Sequence, residues 1–310
     1  MQSEITKWMD EGPGWLKYAV DTQLLGNEIG PGPALNDTAI QSLLATIRCK
    51  EQGFESLING TVSYTGQLYW YLFFLADIGL TSDQLNLESE FQTVLHLEDN
   101  THRFLISKEM KPNYFCISSI LLTAMVKMSA SVKDSLQPHL NTIMNTQRLD
   151  GGWHCAKSRG IGQKQEKSVS CLMDNLNILM LFAEYEEYVT EPKLNGAIDL
   201  ILEHWYRQEE KWRPYGFGIG SEFKKLRYPA FKYGILRVLD VLSMYPYAQA
   251  RSEFKGMLKY VQQRADSGKY FAGSVAKMFA GFDFAQKIVP SRWITFIITR
   301  IERRVNPLRI

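Results

Sequence analysis

The sequence predicts an all-α fold, a ring of helical hairpins with inner and outer layers, in a single domain spanning residues 1–310. Three observations carry this. A turn followed by an aromatic residue recurs along the chain, amphipathic helix-period segments alternate with segments that are apolar nearly all round, and alternating strand patterns are almost absent.

The recurring break is "EDNTHRF" ending at Phe104, "QRLDGGW" at Trp153, "QEEKW" at Trp212 and "QRADSGKY" at Tyr270, in steps of 49, 59 and 58 residues. Before each break lies a segment with apolar residues three and four apart: Leu85 to Glu98, Ser135 to Arg148, Leu194 to Gln208 and Arg251 to Arg264. After each comes a more apolar segment: Tyr114 to Ser129, Ser168 to Tyr188, Tyr228 to Tyr245 and Ser291 to Arg304, with Thr65 to Gly79 opening the series. "SEFKGMLKYVQQR" is charged on one side, as an outer helix is. "YWYLFFLADIGL" and "CLMDNLNILMLFAEY" are apolar all round, as helices covered on both faces are. Adding Pro13 to Leu25 and Leu35 to Lys50 gives about eleven helices, close to the twelve of six hairpins.

"QRLDGGW" reads as a clip between hairpins. Gly151 and Gly152 allow the tight or left-handed turn that ends an outer helix, Trp153 then stacks against the start of a neighbouring helix, and Gln147 reaches free backbone groups there.

Charge and composition exclude several classes. A net charge of +2 gives no basic field for nucleic acid, and the densest cluster, Arg300, Arg303, Arg304 and Arg309, reads as a solvated helix end. The opening "MQSEITKWMDEGPGWLKY" is not a signal peptide, and no segment reaches the roughly 18 apolar residues of a membrane span. A cytoplasmic location is therefore expected, with Cys49, Cys116, Cys155 and Cys171 as reduced thiols.

The motif "QRLDGGW" resembles the Q-x-x-x-G-x-W repeat of squalene-hopene and oxidosqualene cyclases. The hairpin ring is similar to the α/α toroid they share with protein prenyltransferase β subunits. "DGGWHC" from Asp150, "FKYGILRVLD" from Phe231 and "PSRWIT" from Pro290 resemble, in order, segments of single-domain members of that superfamily. The resemblance implies an α/α toroid whose central cavity takes an isoprenoid or other apolar small molecule. The reaction does not carry over. There is no D-x-D-D proton donor, and the prenyltransferase zinc set is reduced to Cys171, with Val169 at the acid position and "PAFKY" where the histidine is expected. No metal and no cofactor is expected.

In such a ring the inner-helix N-termini converge, and that end is the expected site. Asp174, in a polar stripe with Ser170, Cys171 and Asn177, and Tyr233 on the next inner segment are the candidate catalytic groups. Trp153, Cys171, Trp293, Lys232 and Arg237 are candidate ligand contacts, although Arg237 also stands at pairing distance from Asp240. His154 and Cys155 lie beside Asp150 without a metal spacing. "YGFGIG" from Tyr215 lacks the lysine of a phosphate loop and reads as a lid. Trp70, Tyr71, Phe73, Phe74 and Trp293 suit a cation intermediate or a packed core equally. Three functions compete: an isoprenoid-handling protein, a non-catalytic scaffold with a vestigial cavity, and a polysaccharide lyase or glycosidase on a similar ring.

Overall fold

The computed structural model describes residues 2–48, 69–101, 115–154 and 169–307, which are helical and, among the described residues, carry no strand beyond one isolated bridge between Asp266 and Lys269. The helices in chain order are α1 (Gln2–Asp10), α2 (Gly14–Ala19), α3 (Gly32–Leu35), α4 (Thr38–Ile47), α5 (Tyr69–Asp77), α6 (Ser82–Leu85), α7 (Glu88–Thr101) and α8 (Phe115–Met128). They continue as α9 (Ala130–Met144), α10 (Leu172–Phe182), α11 (Asn195–Tyr206), α12 (Ile235–Leu242), α13 (Pro246–Ala250), α14 (Ser252–Gln262) and α15 (Arg292–Val305). A π-helical turn, Val20–Leu25, prolongs α2 and ends at Gly26, whose φ is 70°. Side-chain caps start several of them: Asp37 accepts from the Ala39 N–H, Ser129 from Val132 and Ser291 from Ile294, each satisfying a first-turn donor.

The two kinds of segment separate by burial. Every residue of α10 is buried, whereas α14 buries Phe254, Met257, Leu258 and Val261 on one face. The apolar helices touch in sequence order. Trp15 of α2 meets Phe74 of α5 at 5.2 Å, and Lys127 of α8 binds Asp77 of α5 at 3.1 Å. Helix α8 packs on α10, Arg237 of α12 donates to Asn177 of α10, and Arg300 of α15 binds Asp240 of α12 at 2.9 Å. Arg300 also donates to Gln23, in the turn after α2, at 3.1 Å.

Two inner helices begin later than expected, α10 at Leu172 and α12 at Ile235. For α12 the cause is Pro229, which lacks an N–H and disfavours helical backbone at Tyr228, so the chain runs irregularly to Gly234 before the helix opens. Residues 49–68, 102–114, 155–168 and 308–310, with Cys49, Phe104, Cys155 and Arg309, lie outside the described residues.

The clip forms between α9, α10 and α11. Gln147 donates to the Gly151 carbonyl at 2.9 Å and to the Lys193 carbonyl, just before α11, at 2.8 Å. Asp150 closes the turn by accepting from the Gly152 N–H at 3.2 Å and from the N–H and hydroxyl of Ser170 at 2.8 and 2.7 Å. Trp153 is fully buried; its indole N–H donates to the Ile143 carbonyl at 3.1 Å and its ring lies 6.4 Å from Phe182. It therefore packs between α9 and α10 rather than against the start of a neighbouring helix, whereas Gln147 reaches the Lys193 carbonyl before α11 and Gly151 packs against Gly196 of α11. Gly151 has φ 79°, and a Cβ there would lie 2.8 Å from the Gly196 Cα. Gly151→Ala should cost at least the roughly 1–2 kcal/mol of left-handed backbone in an L-residue, read as a lower urea midpoint; an unchanged midpoint would show that the two backbones do not meet.

Candidate functional site

Five helices, α5, α8, α10, α12 and α15, line one cavity of about 230 Å³, each contributing residues about a turn apart. On α5 these are Trp70, Phe73 and Asp77; on α8, Thr123 and Lys127; on α12, Arg237, Asp240 and, just beyond its end, Met244. Helix α15 gives Ile297, Arg300 and Arg304, and α10 gives Met180 with Glu184 one turn on. The half-exposed lining groups Lys127, Glu184, Asp240 and Arg304 lie at or near the C-terminal ends of α8, α10, α12 and α15, so the cavity opens on that side, although Asp77, the last residue of α5, is buried. Solvent exposure agrees: the side chains of Lys127, Asp240 and Arg304 are 23%, 25% and 28% exposed, against 3% for Asp77 and 7% for Arg300. The expected site was the opposite end.

The far side of the centre helps to explain why. Trp15, Phe74, Phe279, Phe282, Phe284 and Trp293 pack edge to face and tilted, with ring centroids 4.9 to 6.5 Å apart, so the N-terminal parts of α2 and α15 meet a solid aromatic core.

An ion network crosses the cavity wall. Asp77 accepts from Arg300 at 2.9 Å and Lys127 at 3.1 Å; Asp240 accepts from Arg300 at 2.9 Å and Arg304 at 2.8 Å. Gln23 completes it by donating to the Asp77 carbonyl at 2.9 Å. Burial alone would raise the Asp77 carboxyl, but the charges of Arg300 and Lys127 outweigh it and hold it well below the usual carboxylate range. Cations gather here for a second reason: the converging helix C-termini present partial negative charge.

Three charged groups of the wall stand outside this network: Arg227, which lies 3.6 Å from Glu222, and Arg237 and Glu184. Arg237, 7% exposed, donates to the Asn177 side chain and lies 3.7 and 3.8 Å from the sulfurs of Met173 and Met180, with its guanidinium 5.6 Å from the Trp70 ring centre. No carboxylate among the described residues pairs with it, and burial lowers its pKa to about 10, so it remains a cation at neutral pH. Glu184, at the mouth, forms no ion pair among the described residues, and burial raises its carboxyl above the usual range. Five buried polar groups of the wall, Trp70 Nε1, the Tyr228 hydroxyl and the Nε atoms of Arg227, Arg237 and Arg300, have no hydrogen-bond partner within the described protein.

Of the candidate catalytic and ligand-contact residues only Arg237 lines this cavity, together with Trp70 and Phe73 of the aromatic set; the expected pairing of Arg237 with Asp240 is replaced, because Asp240 is taken by Arg300 and Arg304, which α15 delivers from about sixty residues away. Asp174 is fully buried in the first turn of α10 and does not line the cavity, to which α10 contributes only from Met180 onward. Tyr233 packs between α11 and α12, with ring centroids 5.6 Å from His204 and 5.2 Å from Phe223. Trp293 is core, stacked on Phe296 at 4.8 Å; Trp153 belongs to the clip; Cys171 is the buried residue preceding α10. Lys232 is exposed beside a separate 130 Å³ cleft that shares Arg227 and Tyr228 with the cavity. Asp150 is consumed by Ser170 and Gly152, and no three His, Cys, Asp or Glu among the described residues converge as a metal set.

Sequence reasoning missed Asp77, Lys127, Glu184, Asp240, Arg300 and Arg304 as cavity groups. Within the C-terminal basic run, Arg300 is 6% exposed and Arg304 is bound to Asp240, so these two are not a solvated end; Arg303 is half-buried, and Arg309 lies outside the described residues. The signal was present in the spacing Trp293, Ile297, Arg300, Arg304, which puts two arginines on the apolar stripe of α15. A larger cleft of 400 Å³ between α1, α14 and α15 holds Glu302 and Arg303 but no comparable convergence of buried charge. No protein-family model, no curated protein and no solved structure matches the chain.

Proposed function

We propose that the chain is an α/α toroid of the terpenoid cyclase and protein prenyltransferase kind, and that it binds a small organic anion with a short apolar part in its central cavity. The order of contacts among the inner helices and the Q-x-x-x-G-x-W clip support the toroid. The observation that carries the ligand is the set of orphaned donors around a buried, acid-free Arg237, since buried donors require an acceptor. The wall also holds five cationic side chains against three acidic ones, interleaved with Trp70, Phe73, Leu236 and Ile297. Size narrows the isoprenoid reading: 230 Å³ is the volume of about eight waters at roughly 30 Å³ each, enough for a five-carbon unit and too little for a long prenyl chain.

The test is thermal unfolding with 4-methylpentanoate or dimethylallyl phosphate, with 3-methylbutanol as the uncharged control. At a hundred times Kd the anions should add about 2.7 kcal/mol, a rise of roughly 5–10 °C in Tm. The alcohol should give none, and Arg237→Met should remove the effect. Equal stabilisation by the alcohol, or an undiminished shift in Arg237→Met, would return the cavity to an apolar ligand.

A second reading, the non-catalytic scaffold, is favoured by the mutual pairing of Asp77, Lys127, Asp240, Arg300 and Arg304, which pins helices whatever the cavity holds. It expects no shift with any of these compounds.

A further inference from the structure

We propose that the bound anion is a zwitterion, an α-amino acid with an apolar side chain, held by its carboxylate on Arg237 and by its ammonium on Glu184. This rests on the anion reading of the cavity and adds the second pole. Every other cavity charge has a partner: Asp77, Lys127, Asp240, Arg300 and Arg304 satisfy one another, and Arg227 lies 3.6 Å from Glu222. Arg237 and Glu184 are opposite in sign, face the same 230 Å³, and do not pair with each other.

Their spacing suits the ligand. The Arg237 guanidinium lies 3.8 Å from the Met180 sulfur, and Glu184 stands four residues past Met180 in the turn just beyond the end of α10, which separates the two poles by roughly one turn, on the order of 5 Å. An α-amino acid making a charge-assisted hydrogen bond of about 2.7–2.9 Å at each pole spans a gap of this order. The orientation follows from the helices: the carboxylate goes to the floor, and the ammonium goes to the mouth, where helix C-termini favour positive charge. The apolar side chain then lies against Phe73, Leu236 and Ile297.

The groups facing Glu184 are Lys127, Arg304 and Lys133, which favour its anion, and Asp77, which opposes it; burial dominates and favours the neutral acid. An arriving ammonium supplies the close cation that draws out the carboxylate.

The test is calorimetric titration of leucine and phenylalanine against their desamino counterparts, 4-methylpentanoate and 3-phenylpropanoate. At least one amino acid should bind about tenfold to a hundredfold more tightly than its desamino partner, the worth of one charge-assisted hydrogen bond. Glu184→Gln should bring that preference to about unity, and Arg237→Met should weaken all four compounds. Equal binding of amino acid and desamino acid would overturn the zwitterion while leaving the anion reading intact. Binding of none by a wild-type protein that unfolds cooperatively would overturn both.

Discussion

Trp153→Ala should destabilise the protein by about 3–5 kcal/mol, the usual loss for deleting a buried large aromatic. The indole is fully buried between the end of α9 and the end of α10, so removal opens a cavity that flanking helices cannot close without moving. It also strips the Ile143 carbonyl of its indole donor, at a position where the last turn of α9 already has carbonyls beyond the reach of its own helix. The backbone N–H of Trp153 stays bound to Asn175 at 2.7 Å, so the clip's backbone persists and the loss reports on the side chain. Urea unfolding measures it. A cost under about 1 kcal/mol, typical of exposed positions, would mean that the clip holds through Gln147 and Asp150 alone.

The clip was legible because its chemistry is local. Gly151 supplies the positive φ, Asp150 closes a turn on residues near in sequence or just before the next helix, and the indole finds a carbonyl ten residues back. Helix identity was legible for the same reason, since burial on one face or all round is written in the 3.6-residue period. The cavity was not, because its groups come together from helices far apart in sequence. Arg237 and Asp240 have ideal local spacing, yet each takes its main partner from another helix, Asn177 of α10 and the arginines of α15. Spacing within one helix states which side chains share a face and is silent on what that face meets. Dipole reasoning favoured the N-terminal end, and the buried charges instead gather where helix C-termini attract cations, with Trp15, Phe74 and Trp293 packed solid beyond them.

Arg300→Met should cost about 3–5 kcal/mol, the scale of breaking a buried ion pair from one side. Arg300 bridges Asp77 and Asp240, and it is the only side chain that joins α15 to both α5 and α12 through charge among the described residues. Without it Asp77, 3% exposed, keeps only Lys127. Asp77→Asn/Arg300→Met should recover part of the loss, because the uncompensated carboxylate is what makes the single substitution costly. The pH dependence separates this from simple loss of packing. In the wild type the folded Asp77 pKa lies below its ordinary value of 3.8, so its stabilisation is present above that value and is lost as pH falls beneath it. In Arg300→Met burial dominates, the folded pKa rises above the unfolded one, and the carboxylate destabilises increasingly as pH climbs from about 4 toward neutrality. Glu88, lowered to about 2 chiefly by the Ser131 hydroxyl, titrates alike in both proteins and cancels in their difference. The difference in unfolding free energy should therefore widen from pH 4 to 7; a constant difference would assign the loss to packing and leave Asp77 solvated in the variant.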